Sequence, residues 1–219
     1  MKAYSVFSNP ATRVSSDQRA SPLLRIACLL VAVAIAGPLR ATTVVPPKFE
    51  SLVGQADYIV RAVVTAVHAE MISSGPNRHI VTTVELDVRQ VIAGAPPAPL
   101  VLTMLGGKVG AEEMRVEGAP KFQVGDEDIL FVHGNGKSFT PLVALMHGRY
   151  PVLKDAAGRE YMARANGAPL YSEQEVSLPM GAASKIKAEQ ADAAPLSPDE
   201  FVRRIQATVI ASTKPSLQQ

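Results

Sequence analysis

Apolar and polar residues alternate along several stretches of this chain, most clearly over residues 80–88. Starting at Ile80, every second residue is apolar except Thr82, and the residues between them are mostly charged from Glu85 onward. Successive side chains of a strand point to opposite faces of the sheet. The alternation therefore predicts a half-buried strand in an antiparallel sheet.

The neighbouring segments carry further strand signals. Residues 56–68 are rich in β-branched residues and contain no glycine or proline, and the turn residues 74–77 follow them. Residues 100–105 predict a strand that ends at Gly106 and Gly107, and the apolar run 128–132 predicts a strand buried on both faces. Shorter strands are predicted at residues 114–116, 139–144, 148–153 and 159–163, and Asn166-Gly167 is expected to turn a last hairpin into residues 170–171.

Two segments show helical spacing instead. Residues 48–55 place three apolar side chains on one face and predict a short helix that covers the core. Residues 197–212 begin with a capping serine, a proline and two acids, which is a typical helix start. Because a single amphipathic helix of this size is marginal alone, we expect it to dock on the β domain. The alanine-rich residues 177–196 are predicted to be a mobile connector.

About eight short strands separated by regular turn signals predict a mainly β fold. The first expectation is a small antiparallel barrel over residues 42–176, of the oligonucleotide/oligosaccharide-binding (OB) type with extra hairpins, followed by the C-terminal α-helix. A β-sandwich is the alternative.

The N-terminal residues 1–41 predict export. Arginines precede an apolar run of eleven residues, 26–36, which ends in a small-x-small pattern at Ala34-Ile35-Ala36. A helix of this length spans roughly 16 Å, about half of a ~30 Å hydrocarbon core. We therefore predict a signal peptide cleaved after Ala36 or Ala41, no stable membrane anchor, and a periplasmic or extracellular location.

Removing this leader changes the charge and the cysteine content. The leader carries five basic residues and one acidic residue, and the whole chain has a net charge of +2, so residues 42–219 have a net charge of −2. A nucleic-acid partner is not expected, because phosphate binding needs a concentrated basic face. The only cysteine, Cys28, lies in the leader, so the exported chain has no disulfide and no thiol nucleophile.

The sequence assigns no catalytic, cofactor-binding or metal-ligating residue. His68 and Glu70 lie two apart on a predicted strand and hence on one face, a spacing that suits two metal ligands, but a strand end facing water explains them more simply. His133 and His147 have no carboxylate or nucleophile tied to them by spacing. No cofactor is predicted.

Two short motifs invite a functional interpretation. Gly106-Gly107-Lys108 lacks the serine or threonine and the helix that a phosphate-binding loop requires, so the glycines are expected to let a strand turn sharply. Residues 126–128 are three consecutive acids, too few oxygen ligands for a calcium loop, and they better suit a hairpin turn.

Four segments together, residues 56–64, 82–88, Gly106-Gly107 and 122–131, resemble a group of uncharacterised exported bacterial proteins, some encoded beside matrixin-like metalloproteases. The resemblance spans residues 49–152 and implies a fold more than an activity. The opening strand is also similar to netrin-like domains and tissue metalloprotease inhibitors, which are barrels. Those inhibitors depend on disulfides and an N-terminal cysteine, which this chain lacks after the leader, so their inhibitory residues have no counterpart here.

Three functions follow as hypotheses. The first is an exported, non-enzymatic binding module whose partner is a secreted protease or another protein of the envelope or exterior. The second is a secreted hydrolase built from distant residues such as His68, Glu70, His133 or His147. The third is a carrier of a small ligand or glycan that uses the mouth of the barrel.

Overall fold

A computed structural model describes residues 45–75, 77–182 and 193–213 of the chain. Helix α1 (Phe49–Gln55) comes first, and α2 (Pro198–Thr213) comes last. The strands between them are β1 (Tyr58–Ser74), β2 (Asn77–Gly94), β3 (Leu100–Leu105), β4 (Gly107–Val109), β5 (Glu112–Met114), β6 (Glu127–Val132), β7 (Arg149–Lys154) and β8 (Glu160–Met162). The predicted leader, residues 1–41, lies outside the described residues.

A long antiparallel hairpin, β1–β2, organises the main sheet. The six strands of this sheet lie in the order β3-β2-β1-β6-β7-β8, and β4 and β5 form a separate two-stranded sheet. The lower half of β1 pairs with β6, from Tyr58 opposite Val132 to Val63 opposite Glu127. Its upper half continues beyond β6, paired only with β2 as far as Ser74 opposite Asn77. On the β6 side, β1 therefore extends past its neighbouring strand, whereas β3 pairs with β2 along residues 81–86.

The mainly β class and the C-terminal helix are confirmed, but the closed barrel is not. The sheet ends at β3 and β8, and no pairing between these two strands occurs in the described part of the chain. Loops protect both ends instead. On β3, Leu105 donates its N–H to the Phe139 carbonyl, and the β8 residue Met162 donates to the Leu196 carbonyl. The sandwich alternative needs two large sheets, whereas the second sheet described here has two strands of three residues.

Three of the shorter predicted strands differ from the structure. The strand predicted at residues 114–116 lies at Glu112–Met114, and the last predicted hairpin forms only an isolated bridge between Ala163 and Pro169. Residues 139–144 form only an isolated bridge, between Leu142 and Val132. Ala144 and Leu145 then adopt positive φ angles of 49° and 58°, and the chain enters a 3₁₀ turn, Leu145–Gly148. Left-handed backbone of this kind ends strand pairing, which the apolar sequence of the segment did not indicate.

The core has two apolar clusters, one on each face of the sheet. In β6, Ile129 and Phe131 belong to the cluster under the helices, whereas Leu130 and Val132 belong to the other. This alternation confirms that the strand is buried on both faces. Helix α1 was predicted correctly and buries Phe49, Leu52 and Val53 in the first cluster.

Helix α2 lies within one residue of its predicted bounds and docks on the same face as α1. The Ser197 hydroxyl accepts a hydrogen bond from the Glu200 N–H at 3.2 Å, as the capping pattern predicted. Phe201 and Ile205 are fully buried. Of the predicted connector, residues 183–192 lie outside the described residues; in its last part, Leu196 is buried and donates to the Leu170 carbonyl at 2.8 Å.

Candidate functional site

The glycine pair after β3 turns the chain back across the β1–β2 hairpin. Gly106 and Gly107 have φ angles of +100° and +137°, which side-chain-bearing residues rarely adopt. A Cβ on Gly107 would lie 2.3 Å from the Thr82 hydroxyl, so the close approach also requires glycine. The Thr82 hydroxyl in turn donates to the Gly106 carbonyl at 2.6 Å. This is the sharp turn predicted from the sequence. It places the start of β4 against Ala69, Ile80 and Thr82 of the hairpin.

A groove with a volume of about 770 Å³ opens beside this turn. Val67 and Ala69 of β1 line one side, and three methionines, Met104, Met114 and Met146, contribute apolar surface from different parts of the chain. Methionine side chains are flexible and polarizable, so they adapt to irregular apolar partners. The groove is therefore suited to take apolar groups of varied shape.

Charged side chains of both signs surround the groove. Lys108, Lys121 and Glu117 are exposed lining residues, and Arg115 pairs with Glu113 through a 2.7 Å contact between Nε and Oε1. The hydrogen bond from Arg115 lowers the pKa of Glu113, so this carboxylate stays charged. A rim of alternating charge offers both donors and acceptors to a bound chain.

Arg149 fixes the wall of the groove around Phe122. Its Nε donates to Asp128 Oδ1 at 2.8 Å, its Nη2 donates to Asp126 Oδ2 at 2.7 Å, and its Nη1 donates to the Lys121 carbonyl. The guanidinium also lies 4.7 Å from the centre of the Phe122 ring, a cation–π distance. One buried arginine thus ties the acidic turn to the groove wall.

The three consecutive acids are accordingly bound by arginines. Asp126 and Asp128 contact Arg149, and Glu127 accepts from Arg61 Nε at 2.5 Å. Arg149 was not predicted from the sequence, because it lies more than twenty residues from its carboxylate partners. Its only signal was a charged residue at the start of a largely apolar strand.

Asp128 is fully buried, and only one of its oxygens is hydrogen-bonded among the described residues. Burial raises the pKa of this carboxyl to about 6, because desolvation penalises the charged form more than the Arg149 charge favours it. The usual value is 3.8. The folded protein therefore binds a proton at Asp128 between about pH 4 and pH 6, where the unfolded chain does not.

This difference predicts a pH dependence of stability. A group whose pKa is raised on folding favours the folded state at low pH, and that contribution is lost as the pH rises through the folded pKa. We expect the free energy of unfolding of the parent protein to fall relative to Asp128→Asn as the pH rises from about 4 to 6, by up to about 3 kcal/mol. Urea unfolding of both proteins across this range measures it; a constant difference would contradict the prediction.

The residues considered for catalysis or metal binding lie apart. His68 and Glu70 are exposed on the same face of β1, opposite Thr83 and Val81 of β2. His147 is buried in the 3₁₀ turn after residue 144, and burial, with the nearby Arg164 charge, lowers its pKa. Within the described ranges, no hydrogen bond or ion pair joins any two of His68, Glu70, His133 and His147.

His133 contacts a carboxylate that the sequence analysis did not single out. Its Nδ1 lies 3.3 Å from Asp57 Oδ1, and both side chains are more than half exposed. The other Asp57 oxygen accepts the Gly134 N–H at 2.7 Å, and this bond is the main cause that lowers the pKa of Asp57. Asp57 thus anchors the loop after β6, which also holds the edge of β3 through Asn135 and the Val101 carbonyl.

No group of three or more histidine, cysteine or acidic side chains is placed to hold a metal ion within residues 45–75, 77–182 and 193–213. None of the helices in these ranges is long and apolar enough to cross a membrane. No family model matches the chain, and no curated protein matches it in sequence.

Proposed function

We propose that this chain is an exported, non-enzymatic binding module that takes an extended segment of a protein partner in its methionine-lined groove. The observation that carries the proposal is the groove itself, with its adaptable apolar lining and a rim of both charge signs. Apolar anchors in a pocket provide most of the affinity of an interface, and a polar rim provides orientation. A polypeptide supplies both kinds of group along its length.

The signal peptide predicted in residues 1–41 supports an activity in the periplasm or outside the cell. A secreted protease or another envelope protein is the partner that the resemblance to proteins encoded beside metalloproteases implies. We also propose that the β domain is related to OB-type and netrin-like barrels. It differs from them in that its six-stranded sheet is open.

A carrier of a small apolar ligand is the second candidate. A volume of about 770 Å³ lies within the range of about 300–1,000 Å³ that is usual for small-molecule sites. Native mass spectrometry of the purified protein distinguishes the two candidates, because a carrier retains a small added mass that solvent extraction removes.

Site-specific photo-crosslinking in the exporting cell tests the groove. A photoreactive phenylalanine analogue replaces Met114 in the groove, and a matched control replaces Ile210, which is 61% exposed on α2. We expect a discrete protein adduct from position 114 and none from position 210. Equal adducts at both positions, or none at either, would contradict a binding groove.

A substitution then links the adduct to affinity. Met114→Glu places a carboxylate against the apolar lining, and desolvating that charge is expected to weaken binding of the crosslinked partner about tenfold or more. Ile210→Glu is the control and should leave the affinity unchanged. Binding of the purified partner to the two variants, measured by calorimetry, gives the comparison.

A further inference from the structure

The upper half of β1 has an open edge. On the β6 side, the last hydrogen bonds of β1 join Val64 to Asp126 and Gly125, at 2.8 and 2.9 Å. From residue 66 to residue 74, β1 pairs with β2 alone. In the described part of the chain, no hydrogen bond reaches this side of Val67, Ala69 or Met71.

The register shows which backbone groups point outward along this edge. Hydrogen-bonded and non-hydrogen-bonded pairs alternate down an antiparallel hairpin, and here the register runs from Ser74 opposite Asn77 to Val67 opposite Val84. The Ile80 carbonyl accepts from the Gly106 N–H on the β3 side, so the backbone groups of Ile80 point away from β1. Met71, opposite Ile80, must then direct its N–H and carbonyl away from β2, as do Val67 and Ala69.

Apart from Glu70 and a bulge between Val64 and Ala66, the edge has few of the features that usually prevent pairing between chains. Residues 65–74 contain no lysine, proline or glycine, and Val67 and Ile72 are 37% and 36% exposed. A long edge strand with unpaired N–H and carbonyl groups and little protection of this kind can pair with a strand of another chain. The side chains along this edge determine which strand fits.

We propose that the open edge of β1 pairs with the same edge of a second copy of this chain, antiparallel and centred on Ala69. In this register His68 lies opposite Glu70 of the second copy, and the two-fold axis repeats the contact. An imidazole N–H donates to a carboxylate in either charge state of the ring. Val67 then lies opposite Met71 of the second copy, an apolar pair on the other face.

Charge favours this register over its neighbours. Centring the pairing on residue 70 would place two Glu70 carboxylates directly opposite each other, and like charges at such positions are destabilising. Centring it on residue 71 would place Glu70 opposite Ile72. Only the register centred on Ala69 places His68 opposite Glu70 on both sides of the two-fold axis.

The pairing goes beyond the proposed groove function and does not depend on what the groove holds. Val67 and Ala69 line the groove, and they lie on one face of β1. The two-fold axis of antiparallel pairing is perpendicular to the sheet, so both grooves of the dimer open on the same face. A dimer would therefore present two binding grooves side by side to one partner.

Proline substitution tests the edge directly. Ala69→Pro removes an N–H that β2 does not use, and proline is tolerated at such edge positions. Thr103→Pro is the matched control, because Thr103 is an exposed residue of β3 whose N–H also points away from β2. Analytical ultracentrifugation from micromolar to millimolar concentration should give a dimer for the parent and the control and a monomer for Ala69→Pro.

A charge exchange tests the register and guards against a proline variant that fails to fold. His68→Glu sets two carboxylates opposite each other at two symmetric positions and should raise the dimer Kd about tenfold. The double variant His68→Glu with Glu70→Lys restores opposite charges and should recover the parent Kd. Both residues are exposed, so folding is expected to be unaffected, which circular dichroism checks.

Three results would overturn the proposal. The first is a parent protein that stays monomeric over the whole concentration range. The second is a dimer that folded Ala69→Pro retains, since it must use another surface. The third is a dimer that His68→Glu weakens and the double variant does not rescue, because the register would then be different.

Discussion

Replacing Arg149 by methionine is expected to destabilise the folded protein by about 3–5 kcal/mol at neutral pH, because it leaves the buried Asp128 without its charge partner. Methionine preserves the apolar length of the side chain and removes only the guanidinium. The substitution also removes the hydrogen bonds that Arg149 donates to Asp126 and to the Lys121 carbonyl.

Chemical denaturation at pH 7.5 measures this effect. Arg159→Met is the matched control, since Arg159 is 82% exposed and its pair with Asp155 is a surface ion pair expected to contribute less than about 1 kcal/mol. Adding Asp128→Asn to Arg149→Met should recover part of the loss. If the two single arginine variants were equally stable, the buried pair would have no special role.

Phe201→Ala is expected to cost about 3–5 kcal/mol, the range observed when a large buried aromatic side chain is truncated. Phe201 is fully buried, and its ring centre lies 5.8 Å from that of Phe49, 6.3 Å from that of Phe131 and 5.1 Å from that of Tyr150. It therefore joins α2 to α1 and to the sheet. The cavity left by the ring cannot close without moving one of these elements.

The same helix supplies the control for this substitution. Ile210→Ala removes an apolar side chain that is 61% exposed, and the change in stability should stay within about 0.5 kcal/mol. Thermal and urea unfolding of both variants give the comparison. A small effect of Phe201→Ala would mean that α2 is not part of the cooperative core.

Local patterns were sufficient for most elements of the fold. The alternation over residues 80–88, the β-branched run before it and the capping pattern at Ser197 each depend on residues close together in the sequence, and each predicted element is present. The strand predicted at residues 139–144 failed because Leu142 and Val143 are buried against the sheet while the chain pairs with it only at an isolated bridge. A buried loop and a buried strand have the same apolar composition, so the sequence could not distinguish them at residues 139–144.

The candidate site was far less predictable. The groove methionines come from residues 104, 114 and 146, and no spacing rule connects them. Arg149 meets Asp128 only because β7 pairs with β6, with Asp128 opposite Pro151. His68 and Glu70 were recognised as a pair on one face, but only the free edge of β1 suggests what that pair could contact.

The sequence by itself determined the long strands, the two helices, the turn at Gly106-Gly107 and the lack of any assigned catalytic motif, because these follow from interactions between near neighbours. Only the tertiary structure decided that the sheet stays open, that Arg149 binds the acidic turn, and that the upper half of β1 keeps an unpaired edge. The physical reason is that strand order and pairing length depend on contacts between residues far apart in the chain, which leave no local pattern.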